Sequence, residues 1–167
     1  MSKKNICLYG LAKQFTDDVG KELSQKLDIY YANFDKIFEF EMIDLDRLEE
    51  LCGREYLGKK ETSLLKRLCT YDNTMININY RLLNSDVNLN YIEDNCLIIY
   101  LKLSGDRYKT EILKDNATKG NMSINLDLYK DRNQLCEQHA DIIVNCKDHD
   151  ISAIVDKIIV EILKYFD

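Results

Sequence analysis

The chain has 167 residues, a formal net charge of −6 and a hydrophobic fraction of 46%. This length allows one domain with a substantial buried core, and the composition is that of a folded protein. The acidic balance argues against nucleic acid as a partner, because phosphate backbones are bound by clustered Lys and Arg. No apolar run approaches the about 20 residues of a membrane span, and the start MSKKNICLYG lacks the features of a signal peptide. We therefore expect a cytoplasmic protein without a membrane partner.

The six cysteines are scattered and form no Cys-x-x-Cys pair or cluster with histidines: Cys7, Cys52, Cys69, Cys96, Cys136 and Cys146. Zinc sites and disulfide frameworks both need closer or regular spacing. The pattern predicts free, mostly buried thiols in a reducing compartment and no metal site.

Apolar strand patterns alternate with helical ones along the chain. The predicted strands are Asn5–Tyr9, Ile29–Asn33, Thr74–Ile78, Asn95–Leu103 and Asp141–Asn145. The predicted helices are Asp17–Leu27, Asp35–Phe40, Ile43–Cys52, Glu55–Cys69, Asp106–Leu113, Ser123–Gln138 and Ser152–Tyr165. Asn84–Asp94 reads as a polar connection, and Lys114–Met122 as a loop. Such alternation predicts one α/β domain over residues 1–167, in three layers, with a five-stranded parallel sheet and helices on both faces.

The turn after the first strand decides the chemistry, because ligands of such folds bind at the carboxyl ends of the strands. A phosphate-binding P-loop has the pattern Gly, four residues, Gly-Lys-Ser/Thr, in which backbone amides and the lysine hold the phosphates. Here the run is Gly10-Leu11-Ala12-Lys13-Gln14-Phe15-Thr16-Asp17. The strand, turn and helix of a nucleotide site are present, but its characteristic residues are not.

Several segments, in order, resemble the shikimate kinases. They are the helix start Asp18-Val19-Gly20-Lys21-Glu22-Leu23, the run Asn33-Phe34-Asp35 after the second strand, Gly53-Arg54-Glu55-Tyr56 with Glu61 and Leu65 beyond it, and Arg132 to Asp141 before the last strand. The resemblance implies a P-loop kinase-like fold of the nucleoside monophosphate kinase type. It also implies that Asp35 contacts the shikimate hydroxyls and that Arg132 contacts the shikimate carboxylate.

The departures from the family fall first on the nucleotide side. Lys13 and Phe15 stand where the family has the P-loop glycines, and Thr16 and Asp17 stand where it has the phosphate lysine and the magnesium hydroxyl. We expect Thr16, Asp17 and Asp18 to form the start of the first helix, so that the chain's own acids face the positive end of the helix. A carboxylate about 4 Å from a phosphate costs about 4 kcal/mol at an effective dielectric near 20. Gly10, Lys13, Thr16 and Asp17 are therefore predicted to form a degenerate nucleotide loop.

Other departures fall on the substrate side. Gly58 replaces a substrate-binding arginine, and Asn79-Tyr80-Arg81 replaces a glycine turn. Residues 114–122 are a remnant of the lid, with Lys114 and Lys119 in place of its arginine. The remaining candidates for ligand contact are Asp35, Arg81 and Arg132, which together suit a small anion.

Three hypotheses follow. The leading one is a shikimate kinase-like protein that has lost catalysis and is kept as a binding or interaction module, without ATP or magnesium, with a small anionic ligand or a protein as candidate partners. The alternative is an active ATP-dependent kinase, in which Lys13 reaches the phosphates, Asp17 binds magnesium and Asp35 is catalytic. A ligand sensor built on Asp35, Arg81 and Arg132 is the third. Asp35 also fits a simple helix cap, and Arg132 a solvated helix position.

Overall fold

A computed structural model describes residues 3–116, 126–147 and 150–167. Its five strands are β1 (Asn5–Gly10), β2 (Tyr30–Asn33), β3 (Thr74–Asn77), β4 (Cys96–Leu103) and β5 (Ile142–Cys146). All strand pairs are parallel, and the order across the sheet is β2-β3-β1-β4-β5. The predicted parallel sheet, with β1 in its interior, is confirmed.

Seven α-helices lie in the described part of the chain and form the outer layers. They are α1 (Lys13–Leu27), α2 (Phe34–Met42), α3 (Leu45–Cys69), α4 (Asp86–Asn95), α5 (Gly105–Asn116), α6 (Leu126–His139) and α7 (Ile151–Phe166). The helix α1 packs against α5 and α7, whereas α3 packs against α4. In the ranges that the structure covers, none of these helices combines the length and apolar character needed to span a membrane.

The core lies between the sheet and both helical layers, and two buried tyrosines in it, Tyr9 and Tyr100, bond to α6. Tyr9 and Tyr100 stack with ring centroids 5.5 Å apart. The Tyr9 hydroxyl donates a 2.7 Å hydrogen bond to the carbonyl of Cys136, and the Tyr100 hydroxyl bonds to the side chain of Asn133. Since buried hydroxyls need such partners, α6 is fixed against β1 and β4, and this orients neighbouring Arg132.

The predicted elements need three corrections. Asn84–Asp94 was expected as a polar connection, but Asp86–Asn95 forms α4, whose N-cap is Ser85. The helix α1 begins at Lys13, four residues before the predicted start. The break predicted between the helices Ile43–Cys52 and Glu55–Cys69 is confirmed, because Gly53 has a non-helical φ of 79° and kinks α3 into two helical runs. Of the predicted lid remnant, residues 114–116 belong to α5, and residues 117–122 lie outside the described residues.

The free-thiol prediction is confirmed. All six cysteines are unpaired, and only Cys52 is exposed.

Candidate functional site

The site begins at the carboxyl end of β1, where the turn to α1 is very short. Only Leu11 and Ala12, both buried, separate the strand from the helix. The prediction that Thr16, Asp17 and Asp18 cap the helix is wrong, because they lie one turn inside it and Ala12 is the N-cap, without a side-chain cap. The open loop that would wrap a phosphate is therefore replaced by helix.

Thr16 lies against the end of the strand instead of facing a ligand. Its side chain is buried and its hydroxyl donates a 2.8 Å hydrogen bond to the carbonyl of Ala12. A Cβ on Gly10 would come within 2.5 Å of the Thr16 hydroxyl oxygen. Gly10 is thus required by this close approach and makes room for the chain's own hydroxyl.

Asp17 is the centre of a buried polar cluster that joins α1, β2 and α2. Its side chain is 3% exposed. One carboxylate oxygen accepts bonds from the Tyr31 hydroxyl at 2.6 Å and from the Asn33 amide at 2.7 Å. The other oxygen lies 2.7 Å from the Lys21 ammonium and 2.8 Å from that of Lys36. Burial alone raises the pKa of Asp17, but these four partners outweigh it and hold the pKa well below its usual range.

This cluster leaves the Asp17 carboxylate without spare acceptor capacity. Two oxygens offer about four lone-pair positions, and the four partners use them. A cation that bound here would have to displace two ammonium groups.

The exposed end of α1 is occupied by another acid of the same chain, Asp115 from the last turn of α5. Its two carboxylate oxygens accept the backbone amides of Lys13 at 2.8 Å and Gln14 at 3.2 Å. Burial raises the pKa of Asp115, and the two amides and the nearby Lys13 ammonium partly oppose the rise. Asp115 thus supplies the N-terminal cap that Ala12 lacks, and it takes up amides that an anionic ligand would otherwise use.

The side chain of Lys13 points toward the substrate side of the site. Its ammonium lies 2.9 Å from the carboxylate of Asp35, in the first turn of α2. The amide of Asn79, which precedes a 3-10 turn at Tyr80–Asn84, lies 3.4 Å from the same carboxylate oxygen. Asp35 therefore does more than begin its helix, for which Asn33 provides the side-chain cap.

Arg81, Glu61 and Arg132 surround this turn. Burial raises the pKa of Glu61, the Arg81 guanidinium lowers it in part, and the Asp35 carboxylate raises it further. The guanidinium carbon of Arg132 lies 5.8 Å from the centre of the Tyr80 ring, a cation–π distance. The pKa of Tyr80 is raised by burial against the opposing charges of Arg132 and Arg81. Asp35, Arg81 and Arg132 therefore lie around one turn, and their role in binding a ligand stays a prediction.

Gly58 leaves open space on α3. A Cβ built there would meet no atom within 4 Å. The cation that the resemblance places at this position is absent, and the described residues leave room for a side chain to begin there.

Among the described residues, no group of three or more His, Cys, Asp and Glu is arranged to hold a metal ion.

Sequence reasoning missed the partners that decide the electrostatics. Lys21 was detectable, because it lies four residues after Asp17 on one helix. Asp115 carried no signal, because 102 residues separate it from Lys13.

The parallel sheet order and a polar site at its carboxyl edge define an α/β protein of the P-loop kinase class. The profile of the shikimate kinase family matches residues 17–163, and the chain belongs to that family.

Individual relatives span nearly the whole chain. Shikimate kinase 1 of Hamiltonella defensa is 25% identical, covering 95% of this chain and 96% of its own. A shikimate kinase of Haemophilus influenzae is 24% identical, with coverages of 94% and 91%.

Solved structures agree on the fold. The shikimate kinase of Acinetobacter baumannii, determined in complex with shikimate, superposes with a TM-score of 0.80 at 16% identity, covering 98% of this chain and 94% of its own. The Aquifex aeolicus enzyme gives a TM-score of 0.74 at 20% identity, covering 96% of each chain.

Proposed function

We propose that this chain is a member of the shikimate kinase family that does not transfer phosphate from ATP. It instead serves as a binding module for a small carboxylic acid. The observation that carries this proposal is that the Asp17 carboxylate is saturated by four partners from the chain itself. By resemblance, Asp17 stands where the family has its magnesium hydroxyl.

The surroundings of Asp17 support the same conclusion. Phosphoryl transfer depends on positioning the phosphates and neutralising their charge. Here two amides at the start of α1 are bonded to Asp115, and Lys13 is paired with Asp35. A magnesium-bound triphosphate would fit here only if Asp115, Asp35 and Lys13 all rearranged.

The opposite side of the site suits a carboxylate. Arg132 has no carboxylate partner among the described residues and is held against Tyr80. A guanidinium in this state binds carboxylates through directional, charge-assisted hydrogen bonds. Because a relative has been solved with shikimate bound, shikimate is the first ligand to test.

Calorimetry tests the proposal directly. We expect titration with ATP and magnesium to give no saturable heat, and shikimate to bind weakly in a manner that Arg132→Ala abolishes. The Haemophilus influenzae shikimate kinase, run in parallel, is the positive control. ADP release in the presence of both ligands measures turnover.

The active-kinase alternative predicts the opposite result. Micromolar ATP binding that is lost on Lys13→Ala but kept in Lys59→Ala, an exposed lysine of α3 paired with Glu55, would establish a repaired phosphate site. If neither ATP nor shikimate binds, the carboxylate proposal is refuted, and a module for a protein partner is the function left to test.

A further inference from the structure

Lys13 and Asp35 form an ion pair at the substrate side of the site, and this pair bears on which ligands the site selects. The Lys13 ammonium and the Asn79 amide both approach Oδ2 of Asp35, at 2.9 Å and 3.4 Å. The Asp35 side chain is 30% exposed, so it remains within reach of a ligand. A ligand hydroxyl that donates to this oxygen has to compete with an ammonium, whose charge-assisted bond is about twice as strong as a neutral one.

The other charged side chains of the site, Glu61 and Arg132, differ in their surroundings. Burial raises the pKa of Glu61 and the charge of Arg81 partly opposes this rise, whereas Asp35 has the Lys13 ammonium directly beside it. Arg132 has no ion-pair partner in the described ranges, and its guanidinium lies over Tyr80. Arg132 therefore offers donors to a ligand anion, whereas Oδ2 of Asp35 already lies within hydrogen-bond distance of two donors of the chain itself.

We infer that Lys13 is a specificity-determining residue: by pairing with Oδ2 of Asp35, it weakens the contribution of a ligand's hydroxyl groups relative to that of its carboxylate. The favoured ligand class is a small monocarboxylic acid, with or without hydroxyls. This inference rests on the proposed binding of a carboxylic acid at Arg132. It adds that Lys13, the first residue of α1, determines how strongly the site distinguishes acids with hydroxyls from acids without them.

Two acids with the same ring measure the selectivity. Shikimate carries three hydroxyls on a cyclohexene carboxylate, and cyclohex-1-ene-1-carboxylate carries none. The ratio of their dissociation constants isolates the hydroxyl contribution, because the loss of a cation near the site weakens both acids alike. In the unmodified chain, we expect the two acids to bind within a factor of about two of each other.

The variant Lys13→Met frees Asp35 and should improve the ratio in favour of shikimate by about threefold, as expected for a partly exposed ion pair. Lys13→Arg should keep the ratio of the unmodified chain, and Lys59→Met is the matched control on an exposed helix. Adding Asp35→Asn to Lys13→Met should cancel the gain, which separates competition at this carboxylate from a general effect of charge.

Three results would overturn the inference. They are a shikimate preference of tenfold or more in the unmodified chain, an unchanged ratio in Lys13→Met, and no binding of either acid. ADP release is recorded for the same proteins. Turnover in the unmodified chain would refute the proposed loss of catalysis, while the affinity ratio would still decide the role of Lys13.

Discussion

Replacing Asp17 by Asn tests whether this carboxylate is a structural element of the fold. The change keeps the size of the side chain but removes a charge that is 3% exposed and bonded to four partners. Each ammonium interacts with the carboxylate by about 4 kcal/mol at an effective dielectric near 20, and the desolvation of the buried acid cancels several kcal/mol of this gain. Breaking a buried pair on one side typically costs about 3–5 kcal/mol.

The expected loss lies at the low end of that range. The side chains of Lys21 and Lys36 are 48% and 59% exposed, so their ammonium groups regain water when the carboxylate is lost. We expect Asp17→Asn to lower the free energy of unfolding by about 3 kcal/mol at pH 7, measured by urea unfolding. Asp18→Asn is the matched control, because Asp18 makes a side-chain bond only to Gln14 in the described structure, and it should change stability by less than about 0.5 kcal/mol.

The pH dependence gives a second, independent measurement. The folded pKa of Asp17 lies below its ordinary value of 3.8, so its stabilisation is complete above that value and is lost as the pH falls. Asn does not titrate. The difference in stability between the unmodified chain and Asp17→Asn should therefore shrink steadily from about pH 5 to about pH 2. Equal stability at pH 7, or a difference that stays constant down to pH 2, would show that the four contacts do not stabilise the folded state.

Two further substitutions probe the ends of the site. Asp115→Asn should weaken the cap of α1 and lower the free energy of unfolding by about 1 kcal/mol. It should also speed hydrogen exchange at the Lys13 and Gln14 amides. Unchanged exchange rates at these two amides would refute the capping role. Gly58→Arg puts a cation into open space on α3 and should keep or raise stability, because Gly is about 1 kcal/mol less favourable than most residues within a helix. The variant should also bind carboxylates more tightly. An unchanged shikimate affinity would show that the new guanidinium does not reach the ligand.

The fold was predictable because its signals are local and repeated. The strand β4 is buried at seven of its eight positions and is apolar except for Lys102, as expected for a strand covered on both faces. The edge strand β5 instead alternates buried and exposed residues. The helix α4 was missed because its buried side chains, Asn88 and Ile92, are too few to give an apolar stripe in a run rich in Asn and Asp.

The sequence placed Asp35, Arg81 and Arg132 near one another, but it did not predict which side chains pair with which. Matched positions brought Asp35 and Arg132 to the same turn, and Arg81 came with it. Whether the Lys13 ammonium lies over a phosphate site or on Asp35 depends on where α1 begins, and element ends are the least certain part of a sequence reading. Because α1 begins one turn earlier than predicted, Lys13 is its first residue, and its ammonium lies on Asp35 at the substrate side of the site.

The exchanges at positions 17 and 33 are physically coupled. By resemblance, the family has a hydroxyl at position 17 and an acid at position 33, whereas this chain has an acid at 17 and an amide at 33. The Asn33 side chain uses both of its polar atoms: its oxygen accepts the backbone amide of Lys36, and its nitrogen donates to Asp17. An acid at position 33 would place a second carboxylate beside the buried Asp17 and would have no proton to donate at neutral pH. The single negative charge has thus moved from the end of β2 onto α1, where Lys21 and Lys36 neutralise it. Restoring only the hydroxyl at position 17 would leave two lysines without their buried acid, so recovery of a phosphate site by evolution or design requires changes in α1, β2 and α2 together.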